Sequence, residues 1–248
     1  MTDAVLEVKG LTGPRRAPTV FDVSLRCVRA ATTLVLGPIH SGKTLLMRHL
    51  VGLEQAQRGT ICVEGEAFDA RGESDAVLRR MRTRIGVVFA GSALISRLSS
   101  LENVELPLLE HTSATPLEAR RAAARLLSEV GLDPEDGTPP TQLGRAAQRR
   151  VALARAIALR PPVVLMDEPS QGLDPHAAAE LDDVLSRLQR EHGFGLLVLS
   201  HDVRYAFGRA DYVYVMAAGQ VIEEGSADAV RASRNEVVQR LLDRRGAA

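Results

Sequence analysis

The chain has 248 residues and a mass of 26.7 kDa, with 45 % hydrophobic and 25 % charged residues, as in a globular protein with a substantial core. Its 31 basic residues balance its 31 acidic ones, so we expect no nucleic-acid partner. Two cysteines exclude a disulfide-rich scaffold. The sequence has no secretory-signal pattern and no apolar run of about 18 residues, so we expect no membrane-spanning segment.

Hydrophobic patterning predicts strands that alternate with helices along the chain. Strand patterns occupy residues 4–9, 20–28, 32–36, 59–64, 84–89, 163–166, 196–200, 212–216 and 220–225. Helical patterns occupy residues 43–53, 116–130, 146–160, 177–191 and part of 227–245. The last two strands are expected to form a hairpin around Ala218-Gly219. The order indicates an α/β core interrupted by a helical insertion.

A glycine-rich segment lies between a predicted strand and a predicted helix. It reads Gly37-Pro38-Ile39-His40-Ser41-Gly42-Lys43-Thr44 and fits the pattern G-x-x-x-x-G-K-[ST]. Such a loop points backbone N–H groups at phosphates, its lysine reaches the β- and γ-phosphates, and its hydroxyl binds Mg²⁺. Only two of the 31 basic residues are lysines, Lys9 and Lys43, which favours a functional over a structural interpretation of Lys43.

Two further strands end in polar residues. The run Val163–Met166 is followed by Asp167 and Glu168, of which one carboxylate can hold Mg²⁺ while the next polarises an attacking water. The run that ends at Ser200 is followed by His201, which can donate a hydrogen bond to a γ-phosphate. Carboxyl ends of parallel strands form the ligand-binding edge of open α/β sheets. We therefore expect Glu168 and His201 to serve catalysis.

These segments, in this order, resemble the nucleotide-binding subunits of ABC transporters, and the resemblance covers about residues 4–226. It implies a P-loop NTPase fold with a RecA-like α/β core, an antiparallel β subdomain and an inserted helical subdomain. It also implies ATP and Mg²⁺ as cofactors, with Thr44 and Asp167 at the metal. The implied single domain spans 1–248, divided into core (4–89 and 161–226), helical subdomain (90–160) and helical tail (227–248).

The sequence departs from the family pattern at several positions. The signature motif, usually Leu-Ser-Gly-Gly-Gln, aligns with Leu143-Gly144-Arg145-Ala146-Ala147. The resemblance places Gly144, Arg145, Ala146 and Asp174 at the dimer interface, where the side chains of Arg145 and Ala146 would crowd a γ-phosphate. Ala90 stands where a Mg²⁺-contacting glutamine is usual, and no aromatic residue for adenine stacking occurs in the segment 11–14. His40 replaces a common glycine, although histidine tolerates left-handed backbone better than most residues.

Within the family, the segments 89–94 and 102–112 resemble ATPases of Mla/Mce-type lipid transporters, although part of this pattern is general among ABC importers. The implied function is an ATPase that powers transport of a lipid or hydrophobic solute across the cell envelope. Its implied partners are a membrane permease, docked on the 90–112 region, and a second ATPase subunit. The implied location is cytoplasmic, on the inner face of the cytoplasmic membrane.

The weakened motifs leave alternatives open. The chain could be a pseudo-ATPase that binds nucleotide as a structural or regulatory subunit, or the non-catalytic half of a heterodimeric pair. The missing glutamine and the altered signature favour this interpretation, whereas Glu168 and His201 argue against it. A soluble ABC ATPase of translation or DNA repair is disfavoured, because the chain has neither a second cassette nor a coiled-coil insertion.

Overall fold

A computed structural model describes residues 3–14, 19–203 and 208–243. The chain divides into two compact units, the first formed by Met1–Arg82 and Gly195–Ala248 and the second by Thr83–Phe194. The end of the tail predicted at 227–248, from residue 244 onward, lies outside the described residues.

The strands and helices follow one another in a mixed α/β order. The strands are β1 (Ala4–Thr12), β2 (Val23–Val28), β3 (Thr32–Leu36), β4 (Arg58–Val63), β5 (Glu66–Asp69), β6 (Ile85–Val88), β7 (Val163–Asp167), β8 (Gly195–Ser200), β9 (Tyr212–Ala217) and β10 (Gln220–Gly225). The helices within the described ranges are α1 (Lys43–Leu50), α2 (Asp75–Thr83), α3 (Ser100–His111), α4 (Pro116–Glu129), α5 (Arg145–Ile157), α6 (Pro175–His192), α7 (Ala227–Arg231) and α8 (Glu236–Asp243).

The first unit contains an antiparallel sheet and the strands that carry the glycine-rich loop. The antiparallel sheet has the order β2-β1-β4-β5, and the other strands of this unit have the order β10-β9-β3-β8. Strand β3 runs parallel to β8 and β9, and all five of its residues are buried, as expected of a strand covered on both faces. The hairpin of β9 and β10 turns at Ala218 and Gly219, both at positive φ, as the sequence predicts.

The second unit packs helices against a parallel strand pair. Strands β6 and β7 pair from Ile85 opposite Val163 to Val88 opposite Met166. Helix α5 lies against β6 and also contacts α3, α4 and α6. A Cβ on Gly86 would come 2.5 Å from the carbonyl oxygen of Ala156, so glycine is needed for this close approach of α5 to β6.

Several predicted boundaries are wrong by a few residues. Strand β2 begins at Val23 because Asp22 has a φ of 52°, which an extended strand does not allow. Helix α1 ends at Leu50, since Gly52 has a φ of 65°, and α5 ends at Ile157. The predicted tail forms two helices, α7 and α8. None of the helices in the described ranges combines the length and hydrophobicity needed to span a bilayer.

Candidate nucleotide site

The glycine-rich segment forms a tight loop between β3 and α1. His40 and Gly42 adopt left-handed backbone, with φ values of 67° and 100°, so His40 takes the conformation that a glycine commonly supplies. Gly42 is the N-cap of α1, no side chain caps this helix, and its first turn has no acidic residue. The first backbone N–H groups of α1 therefore point toward the loop, in the arrangement that binds phosphate elsewhere.

The β9–β10 hairpin and Thr19, which precedes β2, hold this loop closely. A Cβ on Gly37 would come 2.2 Å from the carbonyl oxygen of Met216, and a Cβ on Gly42 would come 2.5 Å from that of Thr19. Gly219 donates its N–H to the carbonyl oxygen of Ser41 at 2.9 Å. Both glycines are therefore required by packing, independently of any ligand.

Lys43 lies inside the loop. Its side chain is buried, and Nζ donates to the carbonyl oxygens of Gly37 at 2.9 Å and Pro38 at 3.0 Å. These acceptors are neutral, whereas phosphate oxygens are charged and form stronger hydrogen bonds with an ammonium group. The donor set of the loop, with an uncapped helix N-terminus and a central ammonium group, therefore fits a nucleotide phosphate.

His201 belongs to the same sheet edge as the loop. Leu36 is paired with Ser200 in the parallel ladder, and Gly37 donates its N–H to the carbonyl oxygen of Ser200 at 3.1 Å. The loop and His201 therefore start from neighbouring positions on β3 and β8, and the His201 side chain is exposed. The first unit thus brings together residues 37–44 and His201.

The second unit brings together the two carboxylates and Ala90. Asp167 ends β7 with 3 % of its surface exposed, and Glu168 follows it in left-handed backbone with a φ of 47°. Because Val88 is paired with Met166, the segment with Phe89 and Ala90 leaves the sheet beside Asp167. The backbone oxygen of Glu168 accepts a hydrogen bond from the N–H of Gln171, which closes a turn. A non-glycine residue in left-handed backbone is uncommon and is concentrated at functional sites.

Carboxylate and hydroxyl oxygens are suitable magnesium ligands. Thr44 and Asp167 supply such oxygens, and among the described residues no group of three His, Cys, Asp or Glu side chains forms a closed metal site. Mg²⁺ in phosphoryl-transfer sites usually takes one or two protein oxygens together with phosphate oxygens and water. Thr44 of the first unit and Asp167 of the second are each a residue of the type found at such sites.

The signature segment forms the start of α5. Gly144 is the N-cap, without a side-chain hydrogen bond, and Arg145 is the first helical residue. The Arg145 side chain lies on the backbone of Gly172. Asp174 caps α6, because its Oδ1 accepts hydrogen bonds from the N–H groups of His176 and Ala177 at 3.0 Å each, and these bonds lower its pKa.

Sequence reasoning missed a buried arginine of the second unit. Arg149 has 3 % of its surface exposed, and its Nη1 donates to the carbonyl oxygen of Phe89 at 2.6 Å. In the sequence it is one of several arginines in an arginine-rich helix. Arg149 differs from the neighbouring arginines because it lies on the side of α5 that packs against β6, where its side chain is buried.

Comparisons with known proteins identify the family of the chain. A family model described as ABC transporter matches residues 20–171, more than half of the chain. The chain is 33 % identical over 241 residues to the intermembrane phospholipid transport system ATP-binding protein MlaF of Haemophilus influenzae, covering 96 % of this chain and 90 % of that protein. It is 34 % identical over 207 residues to the glutamate transport ATP-binding protein GluA of Corynebacterium glutamicum, covering 84 % of each.

Solved structures show the same fold. CbiO1 of Clostridium perfringens, part of the ABC transporter complex cbiONQ, matches with a TM-score of 0.81 and 26 % identity over 98 % of this chain and 96 % of that chain. The ATP-binding cassette MJ0796, in a dimeric post-hydrolysis state bound to ADP and Pi, matches with a TM-score of 0.78 and 27 % identity over 90 % of this chain and 98 % of that chain. These relatives lend no support to the pseudo-ATPase alternative. The chain belongs to the ABC transporter family, as an ATP-binding and ATP-hydrolysing subunit with the α/β P-loop fold that its sequence predicts.

Proposed function

We propose that this chain supplies the energy for transport of a lipid or another hydrophobic solute across the cell envelope. The observation that carries this proposal is the match to a phospholipid transport ATPase over 96 % of the chain. The match to a glutamate transport ATPase has the same level of identity but covers 84 %. The L-cystine transport ATP-binding protein TcyN of Escherichia coli is 33 % identical over 92 % of this chain and 92 % of that protein. The extent of similarity therefore favours a lipid cargo by a small margin, and the reconstitution described below decides between the two cargoes.

In the proposed site, residues 37–44 hold the phosphates of ATP. Lys43 places its ammonium group on the β- and γ-phosphates, and Thr44 and Asp167 hold Mg²⁺, which would neutralise the charge that develops on the phosphates. Glu168 polarises the attacking water, and His201 donates to the γ-phosphate. Because phosphoryl transfer depends mostly on positioning and electrostatic stabilisation, the loss of any one of these groups should slow the reaction.

The proposed assembly has two ATPase subunits on one permease. The permease would dock on the 90–112 region of a single cassette domain spanning 1–248, at the inner face of the cytoplasmic membrane. Gly144, Arg145, Ala146 and Asp174 would face the second ATPase subunit. That subunit could be a second copy or a different chain with an intact signature, which would leave this chain's own phosphate loop opposite better hydrogen-bond donors.

Calorimetric titration with Mg-ATP tests the phosphate loop. Lys43→Ala removes the cation, and Lys43→Arg introduces a longer, planar group into a buried loop that has room for an ammonium group. We expect both variants to lose ATP binding, whereas Lys9→Arg, on the exposed side of β1, should bind as the parent does. Parent-like binding by Lys43→Arg would overturn the assignment of Lys43.

Reconstitution tests the cargo. The chain would be assembled with a candidate permease in a detergent solution free of phospholipid, and ATP turnover measured with added phospholipid or with added glutamate. Stimulation by phospholipid alone is expected. Stimulation by glutamate alone would reject the lipid assignment while leaving the ATPase function intact.

A further inference from the structure

Two arginines of α5 hold one short segment that follows β6. This segment, Phe89–Ala93, is called the anchored segment below. Arg149 donates from Nη1 to the carbonyl oxygen of Phe89 at 2.6 Å. Arg155 donates to the carbonyl oxygens of Ala93 at 2.9 Å and Ser92 at 3.2 Å. One helix therefore fixes both ends of the anchored segment.

The backbone of the anchored segment needs this support. Ser92 and Ala93 both adopt left-handed backbone, with φ values of 61° and 47°, and neither is a glycine. Consecutive non-glycine residues in this conformation persist only where surrounding contacts hold them. Hydrogen bonds from a charged donor to a backbone carbonyl are among the stronger ones, so the two guanidinium groups can supply that support.

The two arginines have different electrostatic surroundings. Burial lowers the pKa of Arg149, the carboxylates of Asp167 and Glu168 counteract this effect, and the nearby charge of Arg145 adds to it. Burial alone lowers the pKa of Arg155. Arg149 thus contacts the anchored segment and lies within electrostatic range of the two carboxylates, whereas Arg155 contacts the segment.

Position in the sheet explains why Arg149 reaches both. Val88 and Met166 are paired, so Phe89 and Asp167 are the next residues on neighbouring parallel strands. Asp167 is almost completely buried, and a charge in such surroundings is stabilised strongly by an opposite charge nearby. Ala90 follows Phe89 at the same edge of the sheet, and its methyl side chain cannot form a hydrogen bond with Asp167 or Glu168.

We propose that Arg149 is a positioning residue for ATP hydrolysis, which fixes the Phe89 carbonyl and provides a permanent positive charge to the Asp167–Glu168 pair. The proposal rests on the proposed function, since it assumes that these carboxylates serve Mg²⁺ and water. Arg149 supports the geometry of the carboxylates from within its own chain. Arg155 holds the anchored segment through its hydrogen bonds to Ser92 and Ala93, and we assign it no effect on the carboxylates.

Substitutions can separate the charge of Arg149 from its hydrogen bond. Arg149→Gln removes the charge and shortens the side chain, so hydrogen exchange of residues 89–95 reports how much anchoring is lost with the charge. Arg149→Lys keeps the charge on a single donor that is nearly as long. Arg155→Gln is the matched control, because it removes a half-buried charge from the other end of the anchored segment. Each full-length variant would be assayed for chemical unfolding, Mg-ATP affinity by calorimetry and amide hydrogen exchange over residues 89–95. Its kcat and KM for ATP would be measured in the complex with the permease and the second ATPase subunit.

We expect Arg149→Gln to lower kcat at least about tenfold with KM within about twofold, as for loss of a preorganised electrostatic group. Arg149→Lys should restore most of kcat, and Arg155→Gln should keep kcat within about threefold of the parent while its segment exchanges faster. Equal losses of kcat in Arg149→Gln and Arg155→Gln would contradict the proposal, and so would a kcat of Arg149→Lys as low as that of Arg149→Gln. Either result would mean that Arg149 only holds the anchored segment in place. Failure of the parent to bind Mg-ATP would instead reject the proposed function.

Discussion

The Arg145 guanidinium lies directly on the backbone of Gly172, so that a Cβ on Gly172 would come 2.2 Å from Nη1 and 3.3 Å from Cδ of Arg145. Within the second unit, the first residue of α5 thus contacts the turn that leads to α6. Sequence reasoning expected the Arg145 side chain to crowd a γ-phosphate. In the structure this side chain lies along its own chain, and crowding across a dimer interface stays a prediction.

The contact predicts a coupling between residues 145 and 172. Gly172→Ala should be destabilising for two reasons, since Gly172 has a φ of 73° and its new methyl group must displace Arg145. Gly193 has a φ of 72°, and a Cβ placed there would have no neighbour within 4 Å, so Gly193→Ala measures the backbone cost alone, about 1–2 kcal/mol. We expect Gly172→Ala to lose about 0.5–1 kcal/mol more, as is typical of contacting residues, measured by urea unfolding.

The Arg145→Ala background provides the check on this coupling. In this background, Gly172→Ala and Gly193→Ala should lower the free energy of unfolding by the same amount. An excess that persists in this background would mean that another neighbour, and not Arg145, opposes the methyl group.

Restoring the signature predicts a gain in turnover. The triple variant Gly144→Ser, Arg145→Gly and Ala146→Gly returns a hydroxyl and two glycines to the start of α5. Serine adds a few tenths of a kcal/mol as an N-cap, whereas the two glycines together cost up to about 2 kcal/mol of helix stability. If two copies of this chain form the dimer, turnover of the isolated protein should still rise at least about tenfold, because donors to the transferring phosphate are restored.

The single variant Ala147→Gly is the control for helix weakening and should not raise turnover. No gain in the triple variant, with activity only after a second ATPase subunit is added, would support a heterodimer. Rapid turnover of the unmodified chain alone would contradict the view that its signature is impaired.

Local sequence patterns predicted the elements that position the loop. Strand β3 was predictable because a short apolar run ends at Gly37, and the hairpin turn because Ala218-Gly219 separates two alternating runs. Helix α3 was not predicted, although Ser99 and Glu102 form a capping box whose pattern is visible in the sequence. Pro107 inside α3 and the mixture of polar and apolar residues hide its periodicity.

Other features depend on contacts between distant parts of the sequence. Helix α2 was not predicted because Met81 is its only buried residue and several arginines surround it. The sequence therefore shows no repeated apolar positions at helical spacing. Arg149 could not be distinguished from Arg150, because only packing on β6 buries the first and leaves the second partly exposed. The contact of Arg145 with Gly172 likewise depends on how α5 packs, which no local pattern encodes.

Glu168→Gln should separate binding from hydrolysis. Glutamine keeps the size of the side chain, and the turn at this position uses the backbone oxygen of residue 168, so the turn should be kept. Loss of the charge that polarises water should lower turnover about 10²–10⁴-fold while ATP affinity is retained. Turnover by phosphate release, Mg-ATP calorimetry and gel filtration with ATP would test this, the last because trapped ATP should hold a dimer together.

The control for Glu168 is Glu135→Gln, which removes an exposed carboxylate of the same unit and should leave turnover unchanged. Parent-like turnover of Glu168→Gln in an assembled complex would show that a different subunit performs the chemistry.

His49 predicts a loss of stability in mild acid. It is buried in α1, its Nδ1 contacts the carbonyl oxygen of Glu54 at 3.0 Å, and among the described residues its Nε2 has no hydrogen-bond partner. Burial lowers the pKa of His49, and the contact with the Glu54 carbonyl and the charge of Glu54 only partly oppose this effect. A Cβ on Gly13 would come 2.7 Å from Nε2, so there is little room for a water to solvate a second proton.

The sign of the pH effect follows from this lowered pKa. In the unfolded chain His49 takes up a proton near its ordinary pKa of 6.5, while the folded chain keeps it neutral to lower pH. The free energy of unfolding should therefore fall as the pH drops below about 6.5, by at most about 1.4 kcal/mol per pH unit from this residue.

Urea unfolding between pH 7.5 and 5.5 tests this prediction. The free energy of unfolding of His49→Gln should fall less with decreasing pH than that of the parent. Equal slopes in the parent and His49→Gln would show that His49 is protonated in the folded chain as readily as in the unfolded one.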